Sequence, residues 1–172
     1  MHGTRSPLVF VTVGTDHHPF DRLIDWVDRW APGAPEVRLV VQYGTAHAPT
    51  HADGSPFVEP DEFAATIGNA AAVVCSGGPG AIMETRAAGL RPIVVPRRSS
   101  LGEHVDDHQR AFADFMSARE LVTLADDESS LDAALDALVT DPDAYRIDAA
   151  GATAPGIARI GSLIDALVRG TR

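Results

Sequence analysis

A glycine-rich turn between an apolar run and a helical pattern is the feature that most constrains this chain. Residues 71–75 (Ala-Ala-Val-Val-Cys) predict a short buried strand, residues 76–78 (Ser-Gly-Gly) a tight turn, and residues 80–88 a helix. Glycine lets the backbone turn tightly and approach a ligand closely, and the first N–H groups of a helix attract anions. The stretch therefore fits a phosphate or diphosphate seat, although it fits an ordinary tight turn of an α/β protein equally well.

Glu84 follows this turn at a spacing that places its carboxylate near the start of the predicted helix. It lies one helical turn beyond Gly80, so both residues fall on the same side of the predicted helix. A carboxylate at that position can accept hydrogen bonds from sugar hydroxyls while the helix N-terminus holds a phosphate.

Strand-like and helix-like segments alternate along the chain. This alternation predicts an α/β fold with a doubly wound parallel sheet, in one domain spanning residues 1–172. Its core is expected at about 7–140, followed by a helical tail at about 143–170. The predicted strands are 7–14, 37–43, 57–58, 71–75, 92–96 and 120–124; the predicted helices are 19–30 after a Thr15-Asp16 cap, 60–69, 80–88, 103–118, 128–139 after an Asp126 cap, and 157–168.

Four loops that carry glycine or arginine follow predicted strands, at 14–15, 44–45, 76–80 and 97–108. In doubly wound sheets, ligands bind beyond the carboxyl ends of the strands, where such loops meet. Their convergence favours a binding site at that edge over four unrelated turns.

Composition excludes several function classes. A net charge of −10 argues against nucleic acid and against electrostatic docking on anionic lipid. No segment is apolar enough to span a bilayer or to act as a secretory signal, and the one cysteine, Cys75, permits no internal disulfide. We therefore expect a cytoplasmic protein with Cys75 as a buried, inert thiol. All 14 strongly basic residues are arginines, which excludes a Walker A loop and a lysine Schiff base.

Other polar and aromatic residues leave alternatives open. His104 with His108, and His47 with His51, are four positions apart and could share a metal, but neither pair has a cysteine or an H-E-x-x-H pattern. The His17-His18 pair could act as a general base or cap a helix. Arg97 and Arg98 could clamp phosphate or pair with Asp106 and Asp107. Trp26 and Trp30 fall on the apolar side of the first predicted helix and favour a core or interface role.

Four motifs, in order, resemble one protein family over roughly residues 8–125. They are 11–15 (Val-Thr-Val-Gly-Thr) with 19–24, 41–44 (Val-Gln-Tyr-Gly), 76–85, and 96–98 with 102–109. Together they resemble the carboxyl-terminal, sugar-nucleotide-binding domain of family 28 glycosyltransferases, especially the free-standing Alg13-like and bacterial exopolysaccharide E-subunit forms. The chain has Ser76 where that family often has histidine.

The resemblance implies the Rossmann-like half of a GT-B fold that binds a UDP-sugar. It implies that the helix N-terminus at 78–81 holds the diphosphate, that Glu84 bonds the ribose, that 107–109 face the sugar, and that the backbone near 57–58 meets uracil. With the converging loops, the candidate nucleotide-sugar-binding residues are Gly14, Thr15, Phe57, Val58, Ser76, Gly78, Pro79, Gly80, Ala81, Glu84, Arg98, Asp107, His108 and Gln109. No catalytic residue is assigned, and we expect no metal and no cofactor.

Two function classes remain. The first is the donor-binding subunit of a two-component inverting glycosyltransferase that makes a lipid-linked glycan or an exopolysaccharide. A complete GT-B enzyme has a second, acceptor-binding half, and 172 residues accommodate one half. A membrane-anchored, acceptor-binding partner would then recruit the chain to the inner face of the membrane, and a homo-oligomer is also conceivable. The second class is a non-catalytic module that binds a nucleotide or nucleotide-sugar.

Overall fold

Six parallel strands form one sheet in the order β3-β2-β1-β4-β5-β6. The structure, a computed structural model, describes residues 6–148. The order confirms the predicted doubly wound α/β fold, because strands are added outward in both directions from β1. The strands are β1 (Leu8–Thr12), β2 (Arg38–Gln42), β3 (Asp53–Ser55), β4 (Ala72–Cys75), β5 (Ile93–Val94) and β6 (Thr123–Leu124); the helices are α1 (Asp21–Trp30), α2 (Pro60–Asn69), α3 (Pro79–Ala87), α4 (His108–Ser117) and α5 (Glu128–Thr140), with short 3-10 turns at Ala31–Gly33 and Ser99–Leu101.

Both faces of the sheet are covered by helices. On β1, Val9 and Val11 point to the face where α1 and α5 pack, and Phe10 points to the opposite face, against α2. Helices α3 and α4 cover this second face beside Cys75 and Val94. Burial on both sides explains why the central strands are continuous apolar runs without alternation.

The two tryptophans of α1 confirm the core prediction. Trp26 and Trp30 are buried, and the Trp30 Nε1–H donates to Asp136 Oδ1 of α5 at 2.9 Å. The indole thus packs in the core and ties α1 to α5, as buried tryptophans usually do when a partner is in reach.

The third strand lies elsewhere than predicted. It comprises Asp53–Ser55 and not residues 57–58, and it pairs in parallel with β2 at the edge of the sheet. All three of its residues are exposed. An exposed edge strand needs no apolar side chains, so hydrophobic periodicity could not reveal it.

Three helix starts also differ from the prediction. Helix α4 begins at His108, not near Glu103, because the Glu103 carboxylate turns inward and is buried. The cap of α5 is Asp127, which forms a capping box with Ser130, and not Asp126. Phe20 occupies the N-cap position of α1, so the predicted Thr15-Asp16 cap is wrong.

Cys75 is fully buried, and burial raises the pKa of its thiol to about 12. The thiol is therefore neutral at physiological pH, which confirms the prediction of an inert cysteine. Among residues 6–148, no helix is both long and apolar enough to cross a bilayer. The predicted helical segment at 157–168 lies outside the described residues.

Candidate functional site

A cavity of about 540 Å³ opens at the carboxyl ends of the strands. It brings together nine of the fourteen candidate residues, although they come from separate loops and helices. These nine are Gly14, Thr15, Val58, Ser76, Gly78, Gly80, Ala81, Glu84 and Gln109; the other lining residues are Thr12, Val13, Asp16, Gln42, Pro60 and Phe63.

The glycine turn leads from β4 into α3 with free backbone donors. Gly78 occupies the N-cap position with extended dihedrals (φ −70°, ψ 134°), and no side chain caps the helix. Pro79 has no N–H, so Gly80 and Ala81 carry the first donors of α3, and both line the cavity. The helix dipole adds positive potential at the same point, which suits a phosphate group.

The glycines of this turn serve different purposes. A Cβ on Gly77 would lie 2.7 Å from the carbonyl oxygen of Gln109, so only glycine permits the turn to touch the start of α4. A Cβ on Gly80 would meet nothing within 4 Å, because that side of the residue faces open space. The first glycine sets the packing, and the second keeps the helix N-terminus accessible.

Glu84 and Gln109 approach the cavity from two helices. Glu84 is an exposed residue of α3, and its carboxylate has no hydrogen-bond or ion-pair partner within the described part of the chain. Gln109 lies in the first turn of α4, and its buried Oε1 has no hydrogen-bond partner among the residues that the structure describes. A free carboxylate and a free amide oxygen both accept hydrogen bonds, so this part of the cavity suits a ligand with hydroxyl groups.

Three buried polar side chains form the floor of the cavity, and two of them, Thr12 and Gln42, were not among the candidate residues. Thr12 and Gln42 are the last residues of β1 and β2, Ser76 directly follows β4, and the three are 0%, 3% and 4% exposed. Thr12 Oγ1 accepts the Gly14 N–H at 3.1 Å, whereas the buried Gln42 Oε1 has no hydrogen-bond partner among residues 6–148. A polar residue at the last position of an otherwise apolar strand was the available signal, because that position faces the ligand edge of such a sheet.

Five candidate residues do not line the cavity. Arg98 donates through Nη2 to the Asp126 carbonyl oxygen, and Asp107 accepts hydrogen bonds from the Ser99 N–H and hydroxyl at 3.1 and 2.8 Å. His108 Nδ1 lies 2.8 Å from Asp106 Oδ2. The remaining two are Phe57, which is exposed, and Pro79. Their proposed roles in binding stay predictions.

Arg97 follows neither of the alternatives considered for it. It is fully buried, and its guanidinium donates to the carbonyl oxygens of Val13 (2.6 Å), His18 (2.7 Å) and Glu103 (2.9 Å). Burial lowers its pKa, and the charges of Asp16 and Glu103 oppose that shift. Arg97 therefore braces the loops around the cavity instead of clamping a phosphate.

The histidine pairs do not form the metal sites that their spacing allowed. His104 precedes α4, so it does not share a helical turn with His108. His47 Nε2 pairs with Asp25 Oδ1 at 2.9 Å, and His51 Nδ1 lies 3.9 Å from Asp28 Oδ1. His47 and His51 therefore each lie beside a different carboxylate of α1 and do not converge on a common point.

The charge of the cavity lining is acidic. Among the described residues that line it, Asp16 and Glu84 are the only carboxylates and none is an arginine. An anionic ligand would therefore depend on backbone N–H groups and the α3 dipole for its positive environment. This arrangement can bind a phosphate at one end and hydroxyl groups at the other.

Comparison with known proteins supports a relationship to glycosyltransferases. Residues 8–160 match the model of the glycosyltransferase family 28 C-terminal domain. Comparison with curated protein sequences gives no significant match.

Solved structures share the fold at low sequence identity. The glycotransferase of kitacinnamycin is 21% identical, with a TM-score of 0.62 over 83% of this chain and 37% of that protein. The calicheamicin glycosyltransferase CalG4 is 16% identical, with a TM-score of 0.58 over 81% and 35%. MurG of Acinetobacter baumannii is 20% identical, with a TM-score of 0.53 over 81% and 42%.

The chain thus spans about two fifths of the length of these structures or less. At such identities they show a common Rossmann-like fold of the GT-B type and no more. The family model, which matches most of the sequence, shows more: this chain belongs to the glycosyltransferase family 28 C-terminal domain family.

Proposed function

We propose that this chain binds the UDP-sugar donor of an inverting glycosyltransferase. The observation that carries the proposal is the uncapped N-terminus of α3, which opens into a 540 Å³ cavity with Glu84 one turn further on. Free N–H donors suit a diphosphate, and a free carboxylate suits the ribose hydroxyls beside it. The family to which the chain belongs supports a sugar donor as the ligand.

The donor would lie in the cavity in one orientation, with each of its parts against different residues. The diphosphate lies against the N–H groups of Gly80 and Ala81, and the ribose reaches Glu84. Uracil lies near Val58, beside the apolar side chain of Phe63, which also lines the cavity. The sugar extends toward Gln109, whose buried Oε1 accepts a hydrogen bond from a sugar hydroxyl.

We further propose that the chain works as one subunit of a two-component enzyme of the Alg13-like or exopolysaccharide E-subunit type. The partner is a membrane-anchored, acceptor-binding subunit, and the product is a lipid-linked glycan or an exopolysaccharide. The motif resemblance to free-standing subunits supports this proposal. Inverting transfer needs an acceptor hydroxyl held behind the anomeric carbon, and such positioning supplies ~7–11 kcal/mol of the barrier.

The chain and a candidate partner, purified separately and together, test this function. We expect UDP binding by the chain alone and sugar transfer only when a membrane-anchored, acceptor-binding partner is present. Robust transfer to a defined acceptor by the chain alone would overturn the two-component proposal. UDP binding without transfer in any combination would favour the alternative, a non-catalytic nucleotide-sugar-binding module.

A further inference from the structure

A cluster of metal-ligating side chains lies in the loop after β1. The ligand atoms of Asp16, His17 and His18 all lie within 4.8 Å of one another. The rings of His17 and His18 have centroids 4.0 Å apart, and Asp16 Oδ1 lies 2.6 Å from His18 Nδ1. Successive side chains of a strand point to opposite faces, so it is the irregular turn here that lets three consecutive residues converge.

His104, in the loop after β5, lies next to this cluster, although it is not one of the three residues whose ligand atoms are all within 4.8 Å of one another. His104 Nε2 lies 3.4 Å from Asp16 Oδ2. Two ligands bound to a tetrahedral zinc at about 2.0–2.2 Å lie roughly 3.4 Å apart, so this separation already fits a shared metal. The Asp16–His18 contact of 2.6 Å is made by the other carboxylate oxygen, Oδ1, so a metal held by Asp16 and both histidines requires that contact to lengthen or the carboxylate to turn.

The second ring nitrogen of His104, Nδ1, also has the kind of partner that is usual for a metal-bound histidine. Its Nδ1 lies 3.3 Å from Asp106 Oδ1 and 3.2 Å from the Asp106 carbonyl oxygen. A metal-bound histidine usually donates its second N–H to such a carboxylate or carbonyl, which fixes the ring. Without a metal, His104 Nδ1 can instead accept a hydrogen bond from the Asp106 N–H at 3.3 Å. Metal binding through Nε2 therefore requires the His104 tautomer that carries its proton on Nδ1.

The scaffold holds the two loops together before any metal binds. Arg97 donates to the carbonyl oxygens of both His18 and Glu103, so the backbone next to His104 is fixed relative to His18. The charge of Arg97 opposes a cation, so we expect a dissociation constant of about 1–100 µM.

We propose that Asp16, His17 and His18 bind a divalent transition metal such as Zn²⁺, with His104 as the fourth ligand, so that the ion joins the two loops. Imidazole nitrogens and a single carboxylate suit Zn²⁺, Co²⁺ or Ni²⁺ better than Mg²⁺ or Ca²⁺, which prefer oxygen ligands. The proposal departs from the sequence-based expectation of no metal, which considered the histidines four positions apart and not the consecutive residues Asp16, His17 and His18 as ligands. It does not rest on the proposed function.

Calorimetric titration of zinc chloride into the metal-stripped full chain, without a histidine tag, tests the proposal. We expect the wild type to bind one zinc ion per chain. Asp16→Asn and His104→Ala should each bind zinc at least about tenfold more weakly, because removing even a residue that only hydrogen-bonds a metal ligand lowers affinity by about that factor. His47→Ala is the matched control, because it removes a histidine that pairs with a carboxylate elsewhere on the surface. It should bind zinc as the wild type does.

Two further measurements distinguish loss of the zinc site from loss of folding in the variants. Zinc should raise the melting temperature of the wild type and of His47→Ala, but not of Asp16→Asn, because a ligand that binds only the native state stabilises it. Cobalt bound to the wild type should give the intense visible absorption of a tetrahedral site. No saturable 1:1 zinc binding at about 100 µM would overturn the proposal. Equal affinity in wild type and His104→Ala would also overturn it.

Discussion

Arg22 on α1 and Glu103, 81 positions later, form a two-point ion pair. Arg22 Nε lies 2.8 Å from Glu103 Oε1, and Nη2 lies 2.7 Å from Oε2. The pair also fixes the backbone around it, because Nη2 donates to the Pro96 carbonyl oxygen and Oε2 accepts the Arg98 N–H. It therefore anchors the loop between β5 and α4, which carries His104 and leads to Gln109.

Removing one member of this pair should destabilise the protein. Glu103 is 5% exposed, so Glu103→Ala leaves the largely buried Arg22 charge without its carboxylate partner, at a cost of about 3 kcal/mol. Urea denaturation measures this loss. Asp143→Ala is the control, because it breaks the exposed Arg146–Asp143 pair and should cost under about 1 kcal/mol. Equal losses in the two variants would contradict an anchoring role for Glu103.

A side chain at Gly80 should block the binding site without unfolding the protein. Gly80 faces open space at the N-terminus of α3, so valine fits there but covers the N–H donors. We expect Gly80→Val to weaken UDP binding by at least about tenfold, or about 1.4 kcal/mol. Gly68→Val is the control, because Gly68 also has open space but does not line the cavity. Similar UDP affinities in these two variants would place the phosphate elsewhere.

Gln42→Leu should change stability and binding in opposite directions. The substitution removes a buried amide oxygen that has no partner, so the free energy of unfolding should stay the same or increase. It also removes an acceptor from the floor of the cavity, so UDP-sugar affinity should fall by about 1 kcal/mol. Denaturation and calorimetry on the same preparation measure both effects. A destabilised variant with normal affinity would make Gln42 a structural residue.

UDP binding should not depend on a divalent metal. Backbone N–H groups and the α3 dipole supply the positive environment, and the zinc cluster proposed above is assigned no contact with the diphosphate. UDP affinity with excess EDTA should therefore equal that with added Mg²⁺ or Mn²⁺ within about twofold, or about 0.4 kcal/mol. A large gain on adding metal would mean that the diphosphate is bound through a cation.

Much of the fold could be predicted because the buried strands and helices show a regular pattern of apolar residues in the sequence. β1, β2 and β4 are apolar runs buried on both faces, and the apolar side of α1 recurs at helical spacing. The third strand was not predicted because Asp53–Ser55 is exposed at the edge of the sheet and therefore has no apolar pattern. The start of α4 was misplaced because Glu103 pairs with Arg22, a contact between distant positions that no local pattern reports.

The candidate site was only partly predictable for the same reason. The glycine turn and Glu84 are adjacent in sequence, and turn chemistry is local. Arg97 looks like a phosphate ligand in sequence, yet both of its terminal nitrogens donate to backbone carbonyls, those of His18, Glu103 and Val13. The convergence of Asp16 and His104 depends on two loops brought together by the sheet order, which spacing along the chain does not encode.

Calorimetric titration of UDP into the wild type, Glu84→Ala and Glu36→Ala tests whether the cavity beside α3 binds the nucleotide. Glu36 is the control, because it is exposed and precedes β2 at the end of the sheet opposite the cavity. We expect 1:1 binding in the wild type, affinity lower by about 1.5–3 kcal/mol in Glu84→Ala, and no change in Glu36→Ala. No binding by the folded wild type, or equal affinity in all three proteins, would contradict this prediction.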